Sequence, residues 1–466
     1  MRTFIISLIT ILFTLSLPAQ DITGQWYGKL NVQGTQLRLV FNITKTNNSL
    51  SSTMDSPDQG AKEIPTSTTS FENSILKITI ASAKIEYEGK LGSDNIIVGI
   101  FKQGGHSFPM NLSREKIEKE KLKRPQEPTK PYSYYSEDIT FENKLAGIKL
   151  AGTLTLPTKE GEYPVVILIS GSGPQNRDEE LLGHKPFLVL SDFLTKNGIA
   201  VLRYDDRGTA LSTGDFNTAT TADFATDVES AILYLKTRKE INRKKIGLIG
   251  HSEGGLIAPI VASKSNDVAF IVLMAGSGIQ GDQLLLLQKK LIEETAGVKD
   301  VDIQNGQLSN RKAFDIVNNS KNLEQLKSDL TLYYNQKLIE NPNTQKPDGI
   351  NDEDFVKLQV IQIANPWMQY FIKYNPAPNL EKVKCPVLAI NGEKDLQVPP
   401  KENLNAIKKA LAKGRNKNVT IKELPNLNHL FQECKTGSPD EYATIEQTIS
   451  PKALTEILSW IQQQTR

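Results

Sequence analysis

Hydrophobic positions divide the chain into three regimes. From Asp21 to about Ser113, β-branched and aromatic residues gather in short runs at Trp26–Val32, Gln36–Ile43, Ile75–Ile80, Ile85–Leu91 and Ile96–Phe101. Turn-forming clusters separate them: Asn47-Asn48-Ser49, Ser56-Pro57-Asp58 and Gly92-Ser93-Asp94-Asn95. Short strands with tight turns predict a small all-β domain, an antiparallel barrel or sandwich. The run REKIEKEKLKRPQEPTKP, Arg114 to Pro131, then mixes charge signs without apolar periodicity and carries three prolines, so it reads as a solvated linker or helix at a domain boundary.

Beyond it, buried-type strands alternate with helices. Val165–Ser170, Ala200–Tyr204, Lys245–Gly250, Phe270–Ala275 and Val387–Asn391 are apolar enough to be central parallel strands covered on both faces. Helical patterns fall at Pro186–Lys196, Ala222–Lys239, Glu253–Lys264, Glu402–Ala412 and Lys452–Gln464. This alternation predicts an α/β fold with a doubly wound sheet. Between Ala275 and Cys385 no core strand occurs, and Leu284–Glu294, Leu323–Leu338 and Asp354–Tyr370 read as helices. A long insertion after a core strand is expected to be a helical cap. The expected domains are 20–113 (β-rich), 114–135 (linker) and 136–466 (α/β), with the cap at 279–378. Arg2, the apolar run Phe4–Leu17 and Pro18-Ala19-Gln20 have the pattern of a secretory signal peptide at 1–19, implying export after cleavage near Ala19. That run is too short to span a bilayer, and no other stretch is long enough, so no integral membrane segment is expected in the mature chain.

Composition narrows the function further. The 466 residues carry a net charge of only +2, which favours neither nucleic acid nor an anionic membrane. Two cysteines, Cys385 and Cys434, make no disulfide framework and no thiolate metal cluster, and whether they pair is open. The four histidines are His106, His184, His251 and His429.

Gly250-His251-Ser252-Glu253-Gly254 follows the strand KKIGLI and opens a helix, the setting of a Gly-x-Ser-x-Gly nucleophile elbow. The turn is so tight that side chains at the glycine positions would clash, and it lifts the Ser252 hydroxyl to the top of the sheet. A serine needs a base. His251 points away from the hydroxyl, His106 belongs to the β-rich domain and His184 precedes the first long helix. His429, just past the expected last strand Thr420–Leu424, alone fits the chain order Ser, Asp, His. Asn391-Gly392-Glu393-Lys394-Asp395 offers two carboxylates between them; Asp395 is expected to orient His429, with Glu393 shaping the turn. Backbone N–H groups of Ser172, in Ser170-Gly171-Ser172-Gly173-Pro174, and of Glu253 are the expected oxyanion donors. That Gly-rich loop is not followed by the Gly-Lys-Ser/Thr of a phosphate cradle. The run Arg203-Tyr204-Asp205-Asp206-Arg207-Gly208 reads as a structural ion network supporting the elbow.

ISGSGPQNRD, RYDDRGTALSTG, IGLIGHSEGG, PVLAINGEKDLQVP and LNHLF, in this order, resemble the α/β-hydrolase superfamily. The tandem of an exported β-rich domain and a capped hydrolase is similar to the EstD-type bacterial carboxylesterases. The resemblance covers about Glu137 to Arg466. It implies a Ser252–Asp395–His429 triad, no metal, no organic cofactor, and a short-chain carboxylic ester as the small-molecule substrate. Ser170 departs from the His-Gly pair many relatives carry at that strand, which bears on the details of the oxyanion hole. Gly24-Gln25-Trp26 resembles the Gly-x-Trp of lipocalin-like barrels, although a tryptophan in a β core explains it as well. A serine peptidase of the aminopeptidase or oligopeptidase type shares elbow, order and triad; the β-rich domain is too short for the propeller of an oligopeptidase. A binding protein on a disused hydrolase fold is the other alternative, and complete candidate machinery speaks against it.

Overall fold

Along Ile85–Leu91 the side chains alternate strictly between core and solvent, as a strand covered on one face requires. The computed structural model describes residues 21–466 apart from 33, 34, 48, 60, 104, 105, 119–122, 343, 345 and 347–349. The expected signal peptide lies outside the described residues. The chain divides into two units, the first reaching Lys121 and the second running from Leu122 to Arg466.

The first unit is one antiparallel sheet of β1 (Gly24–Val32), β2 (Thr35–Thr46), β3 (Ser49–Ser56), β4 (Ala61–Pro65), β5 (Thr68–Glu72), β6 (Ile75–Ile80), β7 (Ile85–Leu91), β8 (Ile97–Gln103), β9 (His106–Pro109) and β10 (Leu112–Ser113). The order is β4-β3-β2-β1-β10-β8-β7-β6-β5, with β9 on β8. The sheet curls on itself: the hydroxyl of Ser52 in β3 meets at 2.7 Å that of Thr69 in β5, the strand at the other end of the order. It is therefore a curled half-barrel of one sheet, not a sandwich of two. Trp26 is wholly buried, donates from Nε1 to Ile22 O (2.8 Å) and has the Arg114 guanidinium 3.8 Å above its ring, so it is a core residue.

In the second unit the charged run becomes fastened rather than free. Arg124 donates to Ile445 O (2.8 Å) and Ala443 O (3.0 Å), and Gln126 to Ile449 O (2.7 Å). The hairpin β11 (Tyr135–Asn143) and β12 (Ile148–Leu156) leads into β13 (Tyr163–Ile169), α1 (Pro186–Lys196), β14 (Ala200–Tyr204), α2 (Thr221–Leu235), β15 (Ile241–His251), α3 (Gly254–Ala262) and β16 (Phe270–Met274). Helices α4 (Gly281–Thr295), α5 (Asp300–Asn319), α6 (Leu323–Glu340), α7 (Asp352–Ala364), α8 (Pro366–Lys373) and α9 (Ala377–Leu380) follow, then β17 (Val387–Gly392), α10 (Pro400–Lys413), β18 (Val419–Leu424) and α11 (Pro451–Thr465). The sheet order is β11-β12-β14-β13-β15-β16-β17-β18, parallel from β14 onward.

This is an α/β-hydrolase sheet, wound on both faces. Residues of α2, α3 and α10 pack one face, and residues of α1 and α11 the other. Chain order reverses at β13, with β14 on one side and β15 on the other, so a crevice opens beyond their carboxyl ends. The Ser170–Pro174 loop leaves β13 there, and Ser252 leaves β15.

The inserted helices have a small core of their own, including Leu286, Phe314, Leu330, Val356 and Ile372. The expected helix Asp354–Tyr370 is two helices. Asn365 is extended (ψ 154°) ahead of Pro366, and its side chain caps α8 by accepting from Met368 N–H (2.8 Å). Among the described residues no helix is long and apolar enough to cross a membrane. Both cysteines are free thiols, and burial pushes that of Cys385 up to about 12.

Candidate active site

Ser252 adopts a left-handed backbone conformation, φ +53°, between β15 and α3. Such a conformation costs a non-glycine residue roughly 1–3 kcal/mol and persists only where its surroundings enforce it. Here Ser252 N–H is held by Met274 O (2.8 Å), and Ser252 O accepts from Gly255 N–H (2.9 Å). The flanking glycines are sterically obligatory. A Cβ on Gly250 would stand 2.0 Å from Gly254 O, and one on Gly254 would stand 2.1 Å from Ile169 O. The hydroxyl-bearing residue is thus presented at the amino end of α3, where unpaired N–H groups and the helix dipole favour negative charge.

Asp395 sits in the turn after β17 and is buried. Its Oδ1 accepts N–H bonds from Gln397 and Val398 (2.8 Å each), and its Oδ2 accepts from His429 Nδ1–H (2.8 Å). The His429 loop is shaped by Asn428, whose buried Oδ1 accepts from Leu430 and Gln432 N–H (3.0 and 2.9 Å). Glu393 is not near His429's ring nitrogens by any bond; its Oε2 accepts Asn426 N–H (2.8 Å) and so shapes the turn. His184 is bound to Thr448 and Tyr442 instead, and His106 lies in β9.

Ser252 and His429 line one cavity of about 250 Å³. Its walls are largely apolar: Leu284 and Leu285 from α4, Trp367 and Phe371 from α8, with Val398 and Leu430. The apolar stretches of the cap therefore divide their roles. Leu284, Leu285, Trp367 and Phe371 face the serine, whereas Leu286 belongs to the cap's own core. Ser172 also lines the cavity, and Gly171 lies so close to Ser252 that a Cβ there would come within 3.2 Å of its Cβ. Gly171 N–H is already committed to Glu179 Oε1 (2.7 Å), which leaves Ser172 as the loop's candidate donor.

Three buried acids surround this region. Glu253, next to the serine, accepts from Thr221 Oγ1–H (2.6 Å) and Trp367 Nε1–H (2.8 Å), and burial raises its carboxyl above the ordinary value. Asp206 accepts from Ser170 Oγ–H (2.7 Å) and Gln175 N–H (3.0 Å) and is pushed well up, also by burial. Glu179 binds His251. Around them Arg203 pairs with Asp178 and Arg177 with Asp205 (2.8 Å), tying the loop after β13 to β14 and the turn beyond it, and Arg207 pairs with Asp227 (2.7 Å), tying that turn to α2. Glu179 and Trp367 touch the site through partners 72 and 114 residues away, so chain spacing carries no trace of either bond. Among the described residues no group of three His, Cys, Asp or Glu side chains is placed to hold a metal ion.

The profile of the X-Pro dipeptidyl-peptidase (S15) family matches residues 146–423. Esterase EstD of Thermotoga maritima is 28% identical over 341 residues, which cover 71% of this chain and 68% of that protein. Among solved structures, an alpha/beta hydrolase from Penicillium covers 71% of this chain and 99% of its own at 16% identity and TM-score 0.44. An esterase of Pyrococcus furiosus covers 75% and 100% at 15% identity and TM-score 0.42.

Proposed function

The chain belongs to the X-Pro dipeptidyl-peptidase (S15) family and is a serine hydrolase, and from that premise we propose that it is a carboxylesterase acting on short-chain esters through Ser252, His429 and Asp395. The observation that carries this reading is the strained Ser252 sharing a small apolar cavity with a His429 that is bound to buried Asp395. Ser252 Oγ attacks the ester carbonyl while His429 Nε2 takes its proton. Asp395 keeps the other proton on Nδ1 and stabilises the imidazolium that forms. Backbone N–H groups of Ser172 and Glu253 receive the oxyanion at the amino end of α3. His429 then protonates the leaving alcohol, and water hydrolyses the acyl-enzyme by the reverse route.

The family's name favours a second reading, a peptidase that removes dipeptides from a free amino terminus. Such a substrate brings an ammonium, which needs a carboxylate free to receive it. Among the residues lining the cavity the carboxylate is Glu179, which is shared through Oε1 with two of the protein's own donors, Gly171 N–H and the His251 ring, rather than kept for a substrate ammonium. The apolar walls and the similarity to an esterase both support ester hydrolysis. The purified protein is expected to turn over p-nitrophenyl acetate or butyrate at least tenfold faster, by kcat/KM, than X-Pro or aminoacyl p-nitroanilides. Faster anilide turnover would establish the peptidase instead.

Trp367 sets the reach of the acyl pocket in this reading. Its indole stands in the cavity wall, anchored to Glu253 and stacked on Phe371 with ring centroids 5.0 Å apart. Trp367→Ala should move the preferred acyl chain by at least two carbons toward longer esters, because it opens the wall without touching Ser252. A series of p-nitrophenyl esters measures this; an unchanged length preference with only a lower melting temperature would make Trp367 a packing residue.

A further inference from the structure

His251, the residue before the serine, has both ring nitrogens occupied. Nδ1–H donates to Glu179 Oε1 (2.9 Å) and Nε2–H to the backbone carbonyl of His429 (3.0 Å). The His429 carbonyl cannot donate, so Nε2 carries a proton. Glu179 Oε1 also accepts N–H from Gly171 (2.7 Å), and with the His251 proton affinity raised this favours the imidazolium–carboxylate form of the buried pair. The pair joins three chain segments. Glu179 holds the oxyanion loop through Gly171, His251 belongs to the elbow, and its Nε2 holds the loop that carries His429, whose ring lies 4.9 Å away centroid to centroid.

We propose that Glu179 and His251 are positioning residues for the reaction: one charged pair fixes the His429 backbone and the oxyanion loop at the same time, at the correct distance from Ser252. This rests on the assignment of Ser252 and His429 above. The groups facing His251 are Glu179 from the loop before α1, Asp395 from the turn after β17, and His429 from the loop after β18. Burial pulls the His251 proton affinity down, but the Glu179 charge and hydrogen bond, the His429 carbonyl and the Asp395 charge outweigh it, leaving the ring above the ordinary imidazole value. Removing the Glu179 charge takes away the largest of the influences that hold the proton, and burial then weighs more heavily against it. The buried ring then loses a proton as pH rises, and a neutral imidazole has one N–H for two acceptors.

The test is the ratio of variant to wild-type kcat for p-nitrophenyl butyrate between pH 5.5 and 8.5. For Glu179→Gln the ratio should fall as pH rises, reaching about a tenfold to hundredfold deficit at pH 8.5, the scale of a misplacement of about 1 Å in the site. KM should change less than kcat. His251→Gln, which has no titrating group and keeps one donor, should show a deficit of about tenfold or more that is the same at every pH. It also serves if Glu179→Gln does not fold. A ratio for Glu179→Gln that is independent of pH, or wild-type kcat in His251→Gln, would overturn the inference. Ser252→Ala in the same assay separates the two levels. Retained turnover there would remove the triad itself, whereas an inactive Ser252→Ala beside a pH-independent Glu179→Gln would remove only the positioning role.

Discussion

Ser252→Ala should lower kcat for a short p-nitrophenyl ester by about 10⁵- to 10⁶-fold while leaving the melting temperature within about 2 °C of wild type, since members of a triad act as a unit. The loss is large because the hydroxyl is the atom that forms the acyl-enzyme, and no neighbour stands at its place on the elbow. Stability is spared for reasons visible at the turn. The bonds from Ser252 N–H to Met274 O and from Gly255 N–H to Ser252 O are backbone bonds that alanine retains. Alanine also tolerates φ +53° about as poorly as serine, so the strain is unchanged. His429→Ala should cost as much activity but differ in stability. It strips the imidazole from a buried carboxylate whose remaining partners are the N–H groups of Gln397 and Val398, an expected cost of about 1–3 kcal/mol. Activity assays paired with thermal melts distinguish the two variants.

Asp395→Asn is expected to reduce kcat by about 10⁴-fold with the fold intact. The asparagine Oδ1 can still accept from Gln397 and Val398, so the turn after β17 keeps its shape. The amide then points its NH₂ at His429 Nδ1, which must accept instead of donate. The ring proton moves to Nε2, the nitrogen that should be taking the serine's proton, and the base is lost. A kcat within tenfold of wild type would transfer the orienting role elsewhere. Glu393 is poorly placed to inherit it, because its carboxylate is bound to Asn426 N–H in the neighbouring turn.

The parts of the site that were legible in the chain are those written locally. The elbow needs glycines on both sides of Ser252, and the clashes at Gly250 and Gly254 show why. The chain order of serine, acid and histidine, with only four histidines to choose among, singled out Asp395 and His429. What could not be read depends on contacts between distant segments. Glu179 lies in Arg177-Asp178-Glu179-Glu180, where nothing distinguishes it from its acidic neighbours until the fold brings His251 to it. His251 does not fit the chain order of a base; in the fold its ring reaches Glu179 and the carbonyl of His429.

The fold shows the same division. Strongly apolar runs were recognised as β13 to β17, but β3, β4 and β5, with sequences SLSSTMDS, AKEIP and TTSFE, are too polar to announce themselves. Helix α5 buries only Ile303, Ala313, Phe314 and Val317 of its 20 residues, so it has no continuous apolar stripe. The edge hairpin β11–β12 escaped for two reasons. β11 is a polar edge strand, and β12 carries Gly152, where a Cβ would stand 2.5 Å from Arg203 O in the adjacent strand.

The most direct test of the central claim, that Ser252 is the nucleophile, is to treat the folded protein with a fluorophosphonate and locate the adduct by peptide mass spectrometry. A single adduct on Ser252 is expected, with labelling greatly slowed in His429→Ala because the base is gone. An adduct on another residue, or a folded protein that takes up no label, would contradict it.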